Sequence, residues 1–216
     1  VSSMSRTRFC QTDPNVVLTL KGQFLSTAHL FVDRTKTFNI TDCRPFSGSH
    51  ITPADPQNCS KIIVHIQTPT EAGKMLLMVS KSAFCEAPLA FVIVPNPTLD
   101  SLSSSSIDNT IASNLSITGF NFAEIDGEFP TVHIGTHSFK AQLLPPSYQS
   151  WFLGMYLNIS ITIPAGTLPS GSYNVTVSNH FRIPSSGDIS LCNSGVSILP
   201  SGDDGSAFLP LTVTHS

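Results

Sequence analysis

Charged side chains are scarce in this sequence: Lys, Arg, Asp and Glu together make up 12% of its 216 residues, against a usual quarter. Net charge is only −3 and the eleven basic residues form no patch, so the electrostatic footprint of a nucleic-acid binder is missing. Long apolar runs are missing as well. The longest nearly apolar stretch, Ala87 to Pro95, falls far short of the roughly 20 residues that a membrane helix needs. No helical periodicity is sustained, and sixteen prolines punctuate the chain, which argues against a helical fold. Motifs that carry chemistry are absent too: there is no CxxC, no zinc spacing of His and Cys, no HExxH, no Gly-x-Ser-x-Gly elbow and no phosphate loop. The residues therefore assign no catalytic group, no metal site and no cofactor, and an enzyme is not expected. The chain starts at Val1, with its first methionine at Met4 and no basic, apolar leader ahead of it, so it reads as a processed or partial chain.

What is present is the periodicity of strands. Val16, Leu18 and Leu20 alternate with Val17, Thr19 and Lys21; Ile62, Val64 and Ile66 alternate with Ile63, His65 and Gln67. Leu157, Ile159, Ile161 and Ile163 alternate with Asn158, Ser160 and Thr162. Period two with one apolar face is a half-buried strand, and turn residues recur every ten or so positions between such runs. The expected fold class is all-β, a sandwich.

The chain also repeats itself. Gly73-Lys74-Met75-Leu76-Leu77-Met78-Val79-Ser80 matches Gly171-Ser172-Tyr173-Asn174-Val175-Thr176-Val177-Ser178 without a gap. Upstream, Leu18-Thr19-Leu20-Lys21-Gly22 corresponds to Leu115-Ser116-Ile117-Thr118-Gly119. After each copy come a cysteine, Cys85 or Cys192, and a final apolar strand closed by Pro95 or Pro200. A period near 100 residues implies two tandem domains, 1–95 and 96–200, joined around Pro95-Asn96-Pro97, with a tail at 201–216.

The second copy resembles the IPT/TIG class of immunoglobulin-like domain. The resemblance rests on the Pro97-to-Leu102 opening strand and the Gly–aromatic turn in Ile117-Thr118-Gly119-Phe120-Asn121-Phe122. It continues in the Val132-His133-Ile134-Gly135 hairpin and in Pro169-Ser170-Gly171 leading into Tyr173-Asn174-Val175-Thr176-Val177. It covers residues 97–200 and implies two immunoglobulin-like β-sandwiches, the first more diverged because Gly22-Gln23-Phe24 departs from the Gly–aromatic pattern. Such sandwiches serve adhesion receptors, surface assemblies and accessory modules of enzymes, so the resemblance bears on fold more than on function.

Five sequons occur, at Asn39, Asn58, Asn114, Asn158 and Asn174, and they are expected to carry N-glycans. Asn114, Asn158 and Asn174 alternate with apolar strand neighbours, which places them on outer faces where a sugar can project. Of the five cysteines, Cys43 and Cys59 flank a Pro-, Ser- and Asn-rich loop. A bridge between them would contribute roughly 3 kcal/mol for a loop of about 15 residues. Cys10 and Cys85 are the next pair, which leaves Cys192 either buried and inert or joined to another chain. His133 and His137, four apart on one expected strand, would face the same way, but no carboxylate or third ligand accompanies them, so they read as satisfied strand histidines. Asp203-Asp204, flanked by Gly202 and Gly205, read as solvated turn residues.

Surface polarity supplied by hydroxyls, amides and sugars points outside the cell, to a secreted or cell-surface protein. The residues at the two ends imply a structural subunit that polymerises with copies of itself. Ser2 to Arg8 contain no alternating apolar set, so the first domain is expected to lack its own first strand. The tail residues Phe208, Leu209, Leu211 and Val213 supply a spare one, whose donation to a neighbour would build a head-to-tail filament. The competing roles are an adhesion or receptor ectodomain that binds a protein or glycan through its loops, and an accessory immunoglobulin-like module of a larger secreted protein.

Overall fold

The computed structural model describes residues 3–4, 7–11, 13, 15–25, 29–32, 36–38, 42–45, 58–67, 73–80, 89–150, 153–183, 186–195 and 206–215. All nineteen described elements are strands. They fall into two compact units, Val1–Ile93 with Pro184–Ser186, and Val94–Ile183 with Gly187–Ser216.

The first unit runs β1 (Ser3–Met4), β2 (Arg8–Cys10), β3 (Asn15–Leu25), β4 (His29–Val32), β5 (Lys36–Phe38), β6 (Asp42–Pro45), β7 (Asn58–Gln67), β8 (Gly73–Ser80) and β9 (Leu89–Val94). One sheet is ordered β1-β3-β7-β6 and the other β2-β9-β8-β4-β5. The alternation in the sequence explains the register of the central pair: Val16, Leu18 and Leu20 stand opposite Ile66, Val64 and Ile62. In the other sheet Phe9 and Phe91 are buried and meet edge to face, with ring centroids 6.1 Å apart.

The second unit runs β10 (Thr98–Leu102), β11 (Ser106–Asp108), β12 (Ser113–Ala123), β13 (Thr131–Ile134), β14 (His137–Lys140), β15 (Gln142–Ser150), β16 (Leu153–Ile163), β17 (Gly171–Arg182), β18 (Ile189–Asn193) and β19 (Leu209–Thr214). Its sheets are ordered β10-β12-β16-β15 and β11-β19-β17-β13-β14, with β18 pairing part of β17. Strand for strand, and apart from β18, this is the order of the first unit. The sequence repeat is therefore a repeat of topology. The matched segments at Gly73 and Gly171 open β8 and β17, which hold the same place in their sheets. Leu115 and Ile117 from β12, Ile159 and Ile161 from β16, Val175 and Val177 from β17, and Leu211 and Val213 from β19 close one buried core between the two sheets.

Two glycines shape this unit. Gly135 has φ 59 and opens the two-residue turn between β13 and β14, a position that favours glycine. A Cβ on Gly119 would come within 2.1 Å of the Thr98 carbonyl oxygen, so glycine there lets β10 close onto β12.

Three expectations about the chain ends are corrected. The first unit does have first strands: β1 pairs β3, with Ser3 opposite Lys21 and Met4 opposite Leu20, and β2 joins β9. They leave no period-two signature because the chain switches from one sheet to the other after a few residues, as it does again at β10 and β11. The last described strand of the second unit is β19, inside the segment expected to be a tail; residues 196–200 of the segment closed by Pro200 lie outside the described residues. Finally, β19 is not spare. It pairs antiparallel with β17 and parallel with β11, and it buries Leu211 and Val213 in its own unit. Pro210 is tolerated because β11 pairing begins only at Thr212, so the missing donor interrupts no ladder on that side. Leu209 is half-buried and Phe208 stays about half exposed.

Candidate functional site

Three of the five sequons fall on described side chains, and all three point out of the second unit. Asn114 on β12 and Asn174 on β17 are exposed, and Asn158 on β16 is half-buried. Asn174 stands opposite Pro210, which offers no side-chain amide or hydroxyl to engage it. Asn58 begins β7 opposite Leu25; its side chain, and Asn39 altogether, lie outside the described residues.

Cys10 on β2 and Cys192 on β18 are both disulfide-bonded, and both are buried. Cys192 is therefore not the free or intermolecular thiol left over by the sequence reading. Because the cysteines number five, any cysteine without a partner in this chain lies among Cys43, Cys59 and Cys85. Cys85 lies outside the described residues. Cys43 and Cys59 sit on adjacent strands, but Cys43 is opposite Ile62 and Cys59 opposite Pro45. A three-residue offset amounts to about 10 Å along a strand, whereas a disulfide needs Cα atoms within about 7 Å. The register therefore disfavours this pair, which the loop composition had put first.

His133 and His137 do not share a face. They belong to different strands, and His137 stands opposite Ile134, whose side chain is in the core. His133 points outward, with its ring between two hydroxyls: Nδ1 lies 3.0 Å from Ser138 Oγ and Nε2 lies 2.8 Å from Ser178 Oγ. Burial, and then the neighbouring His180, hold its pKa below the ordinary histidine value. Glu128 joins this surface, 3.6 Å from His180 Nε2 and 3.1 Å from Arg182. Ser178 is fully buried, so the Ser–His contact has no open side for a substrate. Among the described residues no group of three His, Cys, Asp or Glu side chains is placed to hold a metal ion, and no helix is long and apolar enough to cross a membrane. On the same outer face, Ile189 and Leu191 of β18 stand opposite Arg182 and His180, and each is about half exposed.

No protein-family model and no curated protein matches this sequence. Among solved structures, the adhesin InvE of Yersinia pseudotuberculosis is similar at a TM-score of 0.28 and 12% identity, over 88% of this chain and 56% of that one. The chain thus spans just over half the length of that adhesin chain, and likeness of this degree assigns no function.

One cluster has no signal in the sequence. Asn179 is fully buried; its Nδ2 donates to the carbonyls of Pro95 and Asn121, and its Oδ1 accepts from the Ala123 amide. Asn121, at φ 66, donates to the Asn96 carbonyl, and Asn96 donates to that of Asn193. These amides satisfy the Asn121 carbonyl and the Ala123 amide, where β12 bulges between Thr118 and Phe122, and three carbonyls outside that strand, of Pro95, Asn96 and Asn193. An asparagine within an apolar-alternating strand is unremarkable in the sequence, because its partners are remote in the chain.

Proposed function

We propose that this chain is an extracellular, non-enzymatic segment of a secreted or cell-surface protein, built from two immunoglobulin-like units of the IPT/TIG kind. The observation that carries the reading is the bonded state of Cys10 and Cys192, since disulfides persist mainly in oxidising compartments. The low charge and the outward sequons support it. Adhesion- or receptor-type binding is favoured over assembly by strand donation. Donation needs a free strand and a place left for it, whereas β19 is used by its own unit and β1 and β2 supply the first strands that the first unit was expected to lack. Exposed Ile189 and Leu191 beside Arg182 and His180 add apolar surface next to charge, the mixture found at protein contacts.

The test is a non-reducing peptide map of protein secreted by eukaryotic cells. Cys10 and Cys192 should both be recovered in disulfide-linked peptides. Free thiols at both positions in secreted, folded material would overturn the extracellular reading.

A further inference from the structure

Two of the sequons meet across one pair of strands. On β12 and β16 the register places Asn114 opposite Thr162, Ser116 opposite Ser160 and Thr118 opposite Asn158. The tripeptides Asn114-Leu115-Ser116 and Asn158-Ile159-Ser160 therefore run antiparallel on one sheet face and share the rung formed by their two serines. Their asparagines are also held alike. Thr162 Oγ1 donates to Asn114 Oδ1 and Thr118 Oγ1 donates to Asn158 Oδ1, each at 2.8 Å. Each carbonyl oxygen is thus engaged across the strands, while among the described residues neither Nδ2, the atom that carries an N-glycan, is spent on a hydrogen bond.

The surrounding surface has the same character. The flanking positions on this face are Ser101 of β10, opposite Thr118, and Gln142 and Leu144 of β15, opposite Ser160 and Asn158. None of these positions, nor any of the six on β12 and β16, carries a charge. A sheet face built largely of hydroxyls and amides, with Leu144 beside them, has little charge to hold other surfaces away, and a bulky, solubilising sugar would supply that. The attachment points lie four rungs apart, about 14 Å along the strands, so two chains can leave the face side by side.

We propose that Asn114 and Asn158 both carry N-linked glycans, and that the pair covers the outer face of the β10-β12-β16-β15 sheet and keeps it out of protein contacts. The proposal rests on the extracellular reading above. The step is transfer from a polyisoprenyl diphosphate-linked oligosaccharide. Nδ2 loses a proton and bonds to the anomeric carbon of the first N-acetylglucosamine, and the lipid diphosphate departs.

The experiment is secretion of the full chain from eukaryotic cells, followed by enzymatic deglycosylation and peptide mapping, with Asn174 as an internal record of passage through the secretory pathway. Deglycosylation should convert Asn114 and Asn158 to aspartate. S116A should lose the glycan at Asn114 alone and S160A that at Asn158 alone, each by one step in gel mobility, and the double variant should lose two steps. Ser116→Thr and Ser160→Thr, which keep the sequons, should restore them and so separate lost attachment from misfolding. The glycan-free double variant should self-associate at concentrations where the parent is monomeric. Occupied Asn174 with bare Asn114 and Asn158 would overturn the face proposal and leave the extracellular reading standing. A secreted chain with no glycan and free thiols at Cys10 and Cys192 would overturn both. A double variant as monomeric as the parent would overturn the shielding role.

Discussion

Leu211 offers the sharpest test of whether the C-terminal segment belongs to its own unit. Its side chain is 1% exposed and sits in the core beside Val213, on a strand held between β17 and β11. Truncating a buried leucine to alanine loses its transfer free energy and leaves a cavity, together typically 2–5 kcal/mol; we take about 3 kcal/mol for Leu211→Ala. For a unit of this size a loss of that order lowers the midpoint of thermal unfolding by roughly 10–15 °C. Thr212, next along the strand and exposed, is the control: Thr212→Ala should stay within about 0.5 kcal/mol of the parent. Removing residues 206–216 deletes Leu211 and Val213 together and strips β17 and β11 of their shared neighbour. The combined loss, about 5 kcal/mol or more, is comparable to the whole stability of many domains. Scanning calorimetry of the full chain should show one transition shifted in Leu211→Ala and abolished in the truncation, with the other unchanged. A Leu211→Ala midpoint within about 2 °C of the parent, or a truncated chain that keeps both transitions, would refute the argument.

Other positions give independent outcomes. Asn179→Ala leaves the Ala123 amide and the Asn121 and Pro95 carbonyls without their buried partner, at about 1–3 kcal/mol for each group left unsatisfied; chemical denaturation should show a loss of at least 3 kcal/mol. Gly119→Ala sets a methyl against the Thr98 carbonyl and should loosen β10 at a cost of about 3 kcal/mol, read as faster hydrogen exchange in the amides that join β10 to β12. For His133 the folded pKa lies below the unfolded value of about 6.5, so the unfolded chain binds more protons. Stability should then fall as pH drops below about 6.5, and His133→Gln should flatten that slope in denaturation curves measured between pH 7.5 and 5. In the secreted chain, alkylation before reduction should leave Cys192 unlabelled, and labelling there would contradict its bonded state.

The strand character of the chain, its repeat, and the outward direction of Asn114 and Asn174 were all legible in the sequence, because each depends on period-two alternation within a single strand. Val16, Leu18 and Leu20 announce a buried face wherever their strand is placed, and Gly73 and Gly171 announce equivalent strands because local composition repeats with local structure. Strand partners were not legible, since pairing joins residues remote in the chain. Nothing in Phe208 to Thr214 says whether a strand inserts beside β17 of its own unit or of another molecule; the choice rests on which edge lies within reach once the core of that unit has formed. A first strand split between two sheets, like β1 and β2, is too short on either sheet to alternate visibly. The same limit governs His133 with Ser178 and the shared rung of the two sequons. Each was decided by register and sheet order, which only the tertiary structure sets.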